Sequence, residues 1–475
     1  MTSSVNIVER SSSTSSSSSS SISISHHHQQ QPEWLLSILA ETNQQETLLG
    51  ESQRKPRIYK VPSILRDIQT HADSFDPMVV SFGPYHHGNP KLAMIEDLKV
   101  TIAKQLVSGR NLQEFSNFDE VARDAREYYD KELTDRFSEE DFRRMMFLDG
   151  CLLLYSIDCI MNPTEEDSRI KNNQMAFISR DILLLENQLP YIVLHTLMSY
   201  NIPREHKGEN LVHKFIKRSR SNQHLSLPPP SSWENLQDQP PHLLHLLREE
   251  LVGTVPTHPH EPINPLDEFN DWHSFRSVSE LRAGGIECKK SGSSSLKDVS
   301  FNPQSFHGDL SLPPIVVDDN TKSMFLNLVA YEASPDFTND YAVTSYICFM
   351  DALIDHAEDV KLLRSKEILL NLLGSDEKVA DLFNDLATNL VPNPNEYRDV
   401  KGNIEKYYKK KSVIWITEML ETHFRSPWTA LGFLVALVII LLTFVQSYFS
   451  IFPRGGGGGD QQRSRTPARK IPYNN

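Results

Sequence analysis

Apolar positions in residues 56–220 repeat at the spacing of helices. Between positions 95 and 106 they recur every three or four residues, which places them on one helix face. The run 142–160 is apolar around most of its helical circumference, so it predicts a buried central helix. A second buried run, 182–198, is interrupted at Pro190, which lacks the amide N–H that a helix interior needs. This part of the chain is therefore predicted to be mainly helical.

Short apolar segments outside these helices predict a few strands. Residues 78–85 form an apolar run with a Gly-Pro turn near its end, and residues 313–317 form another. Residues 318–321 offer side chains that cap a helix N-terminus, and so do residues 375–377. The predicted fold class is mainly α with a few short strands (α+β), as a helical globular body.

Composition divides the chain into segments. The leader is rich in serine, histidine and glutamine, and it has too little apolar surface to offset the entropy cost of ordering. The stretch 221–271 is rich in proline, serine and histidine, which predicts a linker or inserted loop with one helix near 243–251. The predicted segments are a disordered leader (1–55), the N-terminal part of a domain (56–220), the loop (221–271), the C-terminal part of that domain (272–424), a transmembrane helix (427–453) and a Gly-rich basic tail (454–475).

The apolar run 427–453 has the properties of a membrane span. It contains no charged side chain, and about 20 apolar residues suffice to cross a hydrocarbon core of about 30 Å. Trp428 at one end and Tyr448 at the other are typical of membrane–water interfaces. We therefore expect a single-pass protein of the plasma membrane or an endomembrane, in contact with the lipid bilayer through this segment.

The orientation of the predicted span follows from two absences in the sequence. No apolar signal peptide precedes the serine tract, and the one near match to a glycosylation acceptor is blocked by Pro163. Both favour a cytosolic N-terminal domain. Four Lys and Arg residues lie before the span and five after it, so the positive-inside rule does not decide the orientation.

Charge and glycine content exclude several functions. The net charge is −14, whereas a nucleic-acid-binding body presents a basic face, so no nucleic-acid partner is expected. Five of the 19 glycines form the run 455–459, and neither of the glycine-rich motifs that bind nucleotide phosphates is present. The four cysteines lack the spacing of a zinc site. No cofactor and no metal are expected.

The pair His86–His87, which follows a Gly-Pro turn, is the strongest catalytic candidate in the sequence. In one interpretation, either histidine acts with Glu96 or Glu186 in a membrane-tethered hydrolase. In the other, the pair belongs to a structural turn, and Glu96 forms an ordinary ion pair with Lys99, three residues further on.

Other polar groups also have a structural and a functional interpretation. The Glu-Asn-Gln run 186–188 lies among apolar residues, so it either clamps the chain around Pro190 or forms a site. Asp351, Asp355 and Asp359 recur every four residues, which predicts a carboxylate-rich helix face that is either solvated or the site of a metal or a general-acid pair. The candidate functional residues are Pro84, Tyr85, His86, His87, Glu96, Asp149, Glu186, Asn187, Gln188 and Glu332.

Several blocks of the sequence carry a family resemblance. They are PRIYKVPSILR (56–66), PMVVSFGPYHHG (77–88), MFLDGC (146–151), DILLLENQLP (181–190), ELRAGGI (280–286), LPPI (312–315), NLVAYE (327–332) and SPW (426–428). In this order they resemble the plant family known as domain of unknown function 247, over about residues 56–452. The chain departs from the family pattern at Phe82, where an aliphatic residue is expected, and at Ser426, where Asn is usual.

The resemblance implies a single-pass membrane protein of a land plant, with no established catalytic residues to transfer. Some grass members of this family act as pollen-side determinants of self-incompatibility, which is a recognition role of particular loci. That role is not carried over to this chain. The membrane anchor, the acidic body and the absence of a catalytic constellation favour a membrane-anchored recognition or signalling module that binds an unidentified protein partner. The hydrolase is the alternative hypothesis.

Overall fold

The fold is described from a computed structural model. The structure describes residues 58–163, 170–202, 208–220, 239–253, 276–304, 307–335, 337, 340–408 and 427–451. The predicted disordered leader, most of the predicted loop 221–271 and the predicted basic tail lie outside the described residues.

Helices form most of the described chain. The first half contains α1 (Ser63–Arg66), α2 (Ala93–Val107), α3 (Phe118–Arg126), α4 (Lys131–Thr134), α5 (Glu139–Met161), α6 (Asn172–Asp181), α7 (Tyr191–Ser199) and α8 (Gly208–Ser219). The second half contains α9 (Leu243–Val252), α10 (Val278–Ala283), α11 (Thr321–Glu332), α12 (Ala342–Leu353), α13 (Ala357–Ser365), α14 (Asp376–Leu386), α15 (Arg398–Tyr408) and α16 (Pro427–Ile451). Single 3₁₀ turns lie at Ala72–Ser74, Pro90–Leu92, Leu112–Phe115 and Leu185–Asn187.

Two small sheets join the helices of the second half. The strands are β1 (Ile286–Lys290), β2 (Ser300–Pro303), β3 (Gly308–Leu312), β4 (Ile315–Val317) and β5 (Leu369–Asn371). In the first sheet β3 is central, parallel to β1 and antiparallel to β2, with Cys288 opposite Leu310 and Phe301 opposite Leu310. In the second sheet β4 pairs in parallel with β5. The predicted mainly helical α+β class is confirmed, and β4 confirms part of the strand predicted at 313–317.

Helix α5 lies at the centre of the first half, as its apolar sequence predicts. Its middle is buried from Asp149 to Ile157. A Cβ atom added at Gly150 would overlap the side chain of Leu197, so the glycine allows α7 to approach α5 closely. Helix α7 begins directly after Pro190, which confirms the predicted interruption. The buried apolar side chains of both halves form one continuous core from Ile58 to Tyr407.

The carboxylates predicted to share one helix face do not do so. Helix α12 ends at Leu353 and α13 begins at Ala357, so Asp351 and Asp359 belong to different helices. The buried Asp359 carboxylate accepts hydrogen bonds from the N–H groups of Asp355 and His356 at 3.1 Å. This capping interaction turns the chain between the two helices, which the four-residue repeat alone does not reveal.

The helix starts predicted from capping residues are both present. Ser375 caps α14 by accepting a hydrogen bond from the N–H of Lys378, as predicted. Helix α11 begins at Thr321, but its N-cap residue Asn320 makes no side-chain capping bond. Instead the Asp318 carboxylate accepts a hydrogen bond from the Thr321 hydroxyl at 2.9 Å, which closes the turn ahead of the helix.

Helix α16 is long and apolar enough to cross a membrane. The apolar stretch Leu431–Ile451 spans 21 residues, and none of it is buried against other described residues. A helix of this length rises about 30 Å at 1.5 Å per residue, which matches the hydrocarbon core of a bilayer.

Candidate functional site

Residues 78–85 are predicted as a strand, and that prediction is wrong, because none of them joins a sheet. Their N–H groups donate to buried side chains instead. The Asp181 carboxylate at the end of α6 accepts from Met78 at 3.0 Å, from Val79 at 2.8 Å and from Val80 at 3.1 Å. Because these N–H groups find acceptors in a side chain, the segment is held without a strand partner.

Two further side chains continue this series along the same segment. The Asn187 side-chain carbonyl accepts from the N–H of Phe82 at 2.7 Å, and the Asp149 carboxylate accepts from Gly83 at 2.8 Å. The Asn187 amide group donates to the carbonyls of Val80 and Asp181. Asp149, Asp181 and Asn187 therefore bond to the backbone of this segment and not to an open cleft. We call residues 78–83 and these side chains the anchored segment.

Lys99 of α2 neutralises the charge beneath the anchored segment. Its ammonium group lies 2.7 Å from the Asp149 carboxylate and 2.7 Å from that of Glu96. It also donates to the Ser81 carbonyl at 2.7 Å. Burial by itself lowers the pKa of Lys99, but the two carboxylates outweigh it and raise the pKa, so the lysine stays charged. The predicted Glu96–Lys99 ion pair is present, and it joins the half-exposed Glu96 to the buried pair of Lys99 and Asp149.

Glu186 and Gln188, the residues on either side of Asn187, also form hydrogen bonds to other parts of the chain. The Glu186 carboxylate accepts from the N–H of Val61 at 2.8 Å and from the Arg66 guanidinium at 2.7 Å. Burial nevertheless raises the pKa of Glu186 above its usual value. The Gln188 amide donates to the carbonyls of Ile182 and Leu184, and its oxygen accepts from the N–H of Leu244. These contacts are the ones that a clamp around Pro190 requires.

His86 and His87 are not brought together as a pair. The His86 ring lies beside Glu186, with Nε2 3.8 Å from the carboxylate, and burial lowers the pKa of His86. The His87 ring instead packs edge-on against Phe137, with ring centroids 5.5 Å apart. Neither histidine contacts Glu96, whose carboxylate is bound by Lys99.

Pro84 and Tyr85, which precede the two histidines, each take part in a hydrogen bond to a backbone carbonyl. The Tyr85 hydroxyl donates to the Ile58 carbonyl at 2.8 Å, and the Pro84 carbonyl accepts from Arg136. Burial raises the pKa of Tyr85, so its hydroxyl stays protonated and continues to donate.

A group of potential metal ligands lies next to His86. Asp76, His86 and Glu186 each place one ligand atom within 4.8 Å of the others. The Arg66 guanidinium already bonds both carboxylates, at 2.7 Å from Asp76 and 2.7 Å from Glu186. A divalent cation would have to displace this arginine, so the donor set does not fit a resident metal.

Glu332, the last candidate residue, belongs to a separate buried cluster at the end of α11. Its carboxylate lies 2.9 Å from Nε of Arg248 and accepts from the N–H groups of Val343 and Thr344 at 2.9 Å. Burial raises the pKa of Glu332, against the opposing effect of the arginine. The glutamate caps the start of α12 from inside the core.

Four residues that hold these clusters were not among the sequence candidates. They are Asp181, Lys99, Arg66 and Arg248. A charged residue inside an apolar helix is a usable signal for a buried ion pair, and Arg248 in LLHLLREELV has that pattern. Asp181 gives no such signal, because it stands at the end of a polar helix.

An open groove between α2, α3 and α5 lies outside all of these clusters. It encloses about 770 Å³. Phe115, Phe118 and Phe147 form an aromatic floor, with Phe147 edge-on to both others at centroid distances of 5.7 and 5.1 Å. The charged residues that line it are Lys104, Arg110, Arg143, Arg144 and Asp119.

The lining of this groove has a surplus of positive charge. Arg143 pairs with Asp119 at 2.9 Å, and Arg110 donates to the backbone carbonyls of Tyr200 and Asn201. Lys104 and Arg144 are exposed. Sequence reasoning did not find the groove, because its basic residues are spread over three separate elements.

Comparison with known proteins assigns the chain to a family. The sequence profile of domain of unknown function 247, described as a plant protein of unknown function, matches residues 58–442. The chain belongs to this plant family. The resemblance read from the sequence blocks is thereby confirmed. Family members have no stated activity that could be transferred to the residues above.

Two relatives from Arabidopsis thaliana match this chain over most of its length. The UPF0481 protein At3g47200 is 28% identical over 446 residues, which cover 87% of this chain and 90% of the relative. The putative UPF0481 protein At3g02645 is 23% identical over 486 residues, which cover 83% of this chain and 90% of the relative. No solved structure matches the chain significantly.

Proposed function

We propose that this family member is a membrane-anchored recognition protein, whose helical body binds an acidic, amphipathic segment of a partner protein in the groove between α2, α3 and α5. The observation that carries the proposal is the groove itself, an aromatic floor with Lys104 and Arg144 exposed at its rim. Aromatic side chains supply most of the binding energy at many interfaces, and rim charges steer the partner.

The contacts of the catalytic candidates support recognition over the hydrolase alternative. A general base must reach the proton that it abstracts. Glu96 and Glu186 are instead bonded to Lys99 and Arg66, and the two histidines face different neighbours. None of these residues lines the groove or another of the described cavities.

We further propose that α16 crosses a membrane once and that the body faces the cytosol. The length and apolar surface of α16 support the span, and the lack of an open glycosylation acceptor in the sequence supports the orientation. Protease added to intact microsomes should digest the body. A protected body would contradict the cytosolic orientation without affecting the groove proposal.

The groove is tested by proximity labelling in plant cells with the full-length protein. The double variant Arg143→Glu/Arg144→Glu reverses charge at the rim, and Arg282→Glu/Lys290→Glu reverses the same number of exposed charges elsewhere. We expect a set of proteins that the wild type and the control both label. The rim variant should label the same proteins at least tenfold less. Equal labelling of the same proteins by all three forms would refute the groove as the recognition surface.

A further inference from the structure

A cavity of about 500 Å³ lies in a different part of the body, between α5, α6, α8 and α11. Its apolar wall includes Ile160, Leu183 and Phe215, and its polar lining includes Arg218, Arg220 and Ser294. A volume of this size is typical of small-molecule sites, in which apolar side chains pack the ligand and polar groups orient it.

Arg220 lies at the cavity with a buried donor, Nε, unused. Its guanidinium donates to the backbone carbonyl of Glu250 at 2.8 Å and to the Glu250 carboxylate at 2.9 Å. The side chain is only 8% exposed. Its Nε is buried and finds no acceptor among the described residues. A buried N–H without a partner is costly, so a ligand atom that accepts from it would be favoured.

Ser294 supplies a second unsatisfied group to the same cavity. The residue is 3% exposed, and its hydroxyl has no partner among the described residues. The loop that carries it is fixed to the end of α9, since Leu296 donates to the Leu251 carbonyl at 2.8 Å and the Ser295 hydroxyl donates to that of Val252. Arg220 is fixed to the preceding residue of α9, Glu250. The end of α9 therefore holds both unsatisfied groups at the cavity.

The charged side chains that line the cavity are three arginines and one carboxylate, Asp318, whose Oδ1 accepts hydrogen bonds from the Asn320 N–H and the Thr321 hydroxyl. Arg180 is paired with Asp181 and Arg220 with Glu250, so neither contributes a free charge. Arg218 donates to the Ile160 carbonyl at 2.9 Å, and no described carboxylate lies within ion-pair distance of it.

We propose that this cavity binds a small organic acid. The ligand carboxylate accepts hydrogen bonds from Arg220 Nε and the Ser294 hydroxyl, Arg218 provides the complementary charge, and the apolar body of the ligand packs against Ile160, Leu183 and Phe215. The site is independent of the groove, and it makes the body a receptor for a small molecule as well as for a protein.

Saturation-transfer NMR and calorimetry on the full-length protein in nanodiscs test this assignment with a matched pair of probes. 4-Phenylbutyrate carries the carboxylate, and 4-phenylbutan-1-ol has the same apolar body without the charge. Empty nanodiscs correct for partition into lipid. The acid is expected to bind at least tenfold more tightly than the alcohol, because only the acid engages the charge of Arg218.

Matched variants separate the cavity from general effects on folding. Ser294→Ala and Arg218→Gln should each weaken 4-phenylbutyrate binding about tenfold, the equivalent of one charge-assisted hydrogen bond. Ser156→Ala removes another buried, unpartnered hydroxyl outside the cavity, and Arg282→Gln removes an exposed arginine elsewhere. Both should leave binding unchanged. No binding of the acid, equal binding of acid and alcohol, or equal loss in the control variants would overturn the proposal.

Discussion

The ammonium group of Lys99 lies 2.7 Å from the carboxylate of Asp149, and the two side chains are only 1% and 2% exposed. This buried pair joins α2 to α5, and through the N–H of Gly83 it also holds the anchored segment. Asp149 therefore acts as a structural acceptor whose charge is balanced inside the core. The same description fits Glu186 and Glu332, which pair with Arg66 and Arg248, and the uncharged Asn187 is likewise a structural acceptor.

Removal of the lysine charge tests this reading of Asp149. Lys99→Met leaves the Asp149 carboxylate buried without its partner, so the free energy of unfolding should fall by about 3–5 kcal/mol. Urea unfolding of the full-length protein in detergent, followed by circular dichroism, measures the change. Lys366→Met breaks the exposed pair with Glu287 and should cost less than about 1 kcal/mol. Equal small losses in both variants would contradict the structural role.

Substitution of Asn187 is expected to lower the free energy of unfolding about as much as Lys99→Met does, although Asn187 carries no charge. Asn187→Leu keeps the branched shape of the side chain but removes the acceptor for Phe82 and both donated bonds, so it should destabilise the protein by about 3 kcal/mol. The control Asn173→Leu changes an exposed residue and should cost less than about 0.5 kcal/mol. Thermal unfolding of both variants, compared with the wild type, measures the difference.

Two glycines in the same region have the same unusual backbone but different surroundings. Gly83 has φ +71°, and a Cβ atom there would lie 2.9 Å from the Tyr129 hydroxyl and 3.1 Å from the Gln188 carbonyl. Gly88 has φ +79° and open space around it. Gly88→Ala should therefore cost about 1 kcal/mol from backbone strain alone, and Gly83→Ala about 2 kcal/mol more. Similar losses measured by urea unfolding would show that the close approach at Gly83 is not tight.

Acid should destabilise the protein through His245. Burial, with a smaller contribution from the charge of Arg248, lowers the pKa of His245 to about 4. The unfolded chain has the ordinary value of about 6.5, so it binds more protons than the folded chain between these values, and stability is lost as the pH falls. His242 and Tyr331 are its other ring neighbours, and buried carboxyls such as Glu332 shift stability in the opposite direction.

The contribution of His245 is therefore measured against a variant. His245→Gln keeps a hydrogen-bonding group for the Tyr331 hydroxyl but cannot titrate. Between pH 7 and pH 5 the wild type should lose about 2 kcal/mol of unfolding free energy relative to this variant. Parallel pH profiles for the two proteins would show that His245 titrates normally.

The helices could be predicted from the sequence because their signals are local. The three- and four-residue spacing defined α2, the all-round apolar run defined α5, and Pro190 marked the start of α7. The segment 78–85 was misassigned for a physical reason. Its apolar, β-branched residues suit a strand, but its hydrogen-bond acceptor is Asp181, about a hundred positions later.

The sites could be predicted only in part. The polar run 186–188 inside an apolar stretch revealed that hydrogen bonds must form there, and the structure supplies the carbonyls and N–H groups that the sequence could not name. The groove and the cavity could not be predicted from the sequence. Lys104 and Arg144, or Arg220 and Ser294, come together only through packing of separate helices and loops.

The central claim, recognition of a protein partner by the groove, is tested most directly by site-specific photo-crosslinking in plant cells. A photoreactive amino acid replaces Lys104 at the groove rim in one full-length protein and the exposed Lys361 of α13 in another. A discrete adduct is expected from position 104. It should be absent from position 361 and lost when Arg143→Glu/Arg144→Glu is added. No adduct at position 104, or the same adduct from both positions, would contradict the claim.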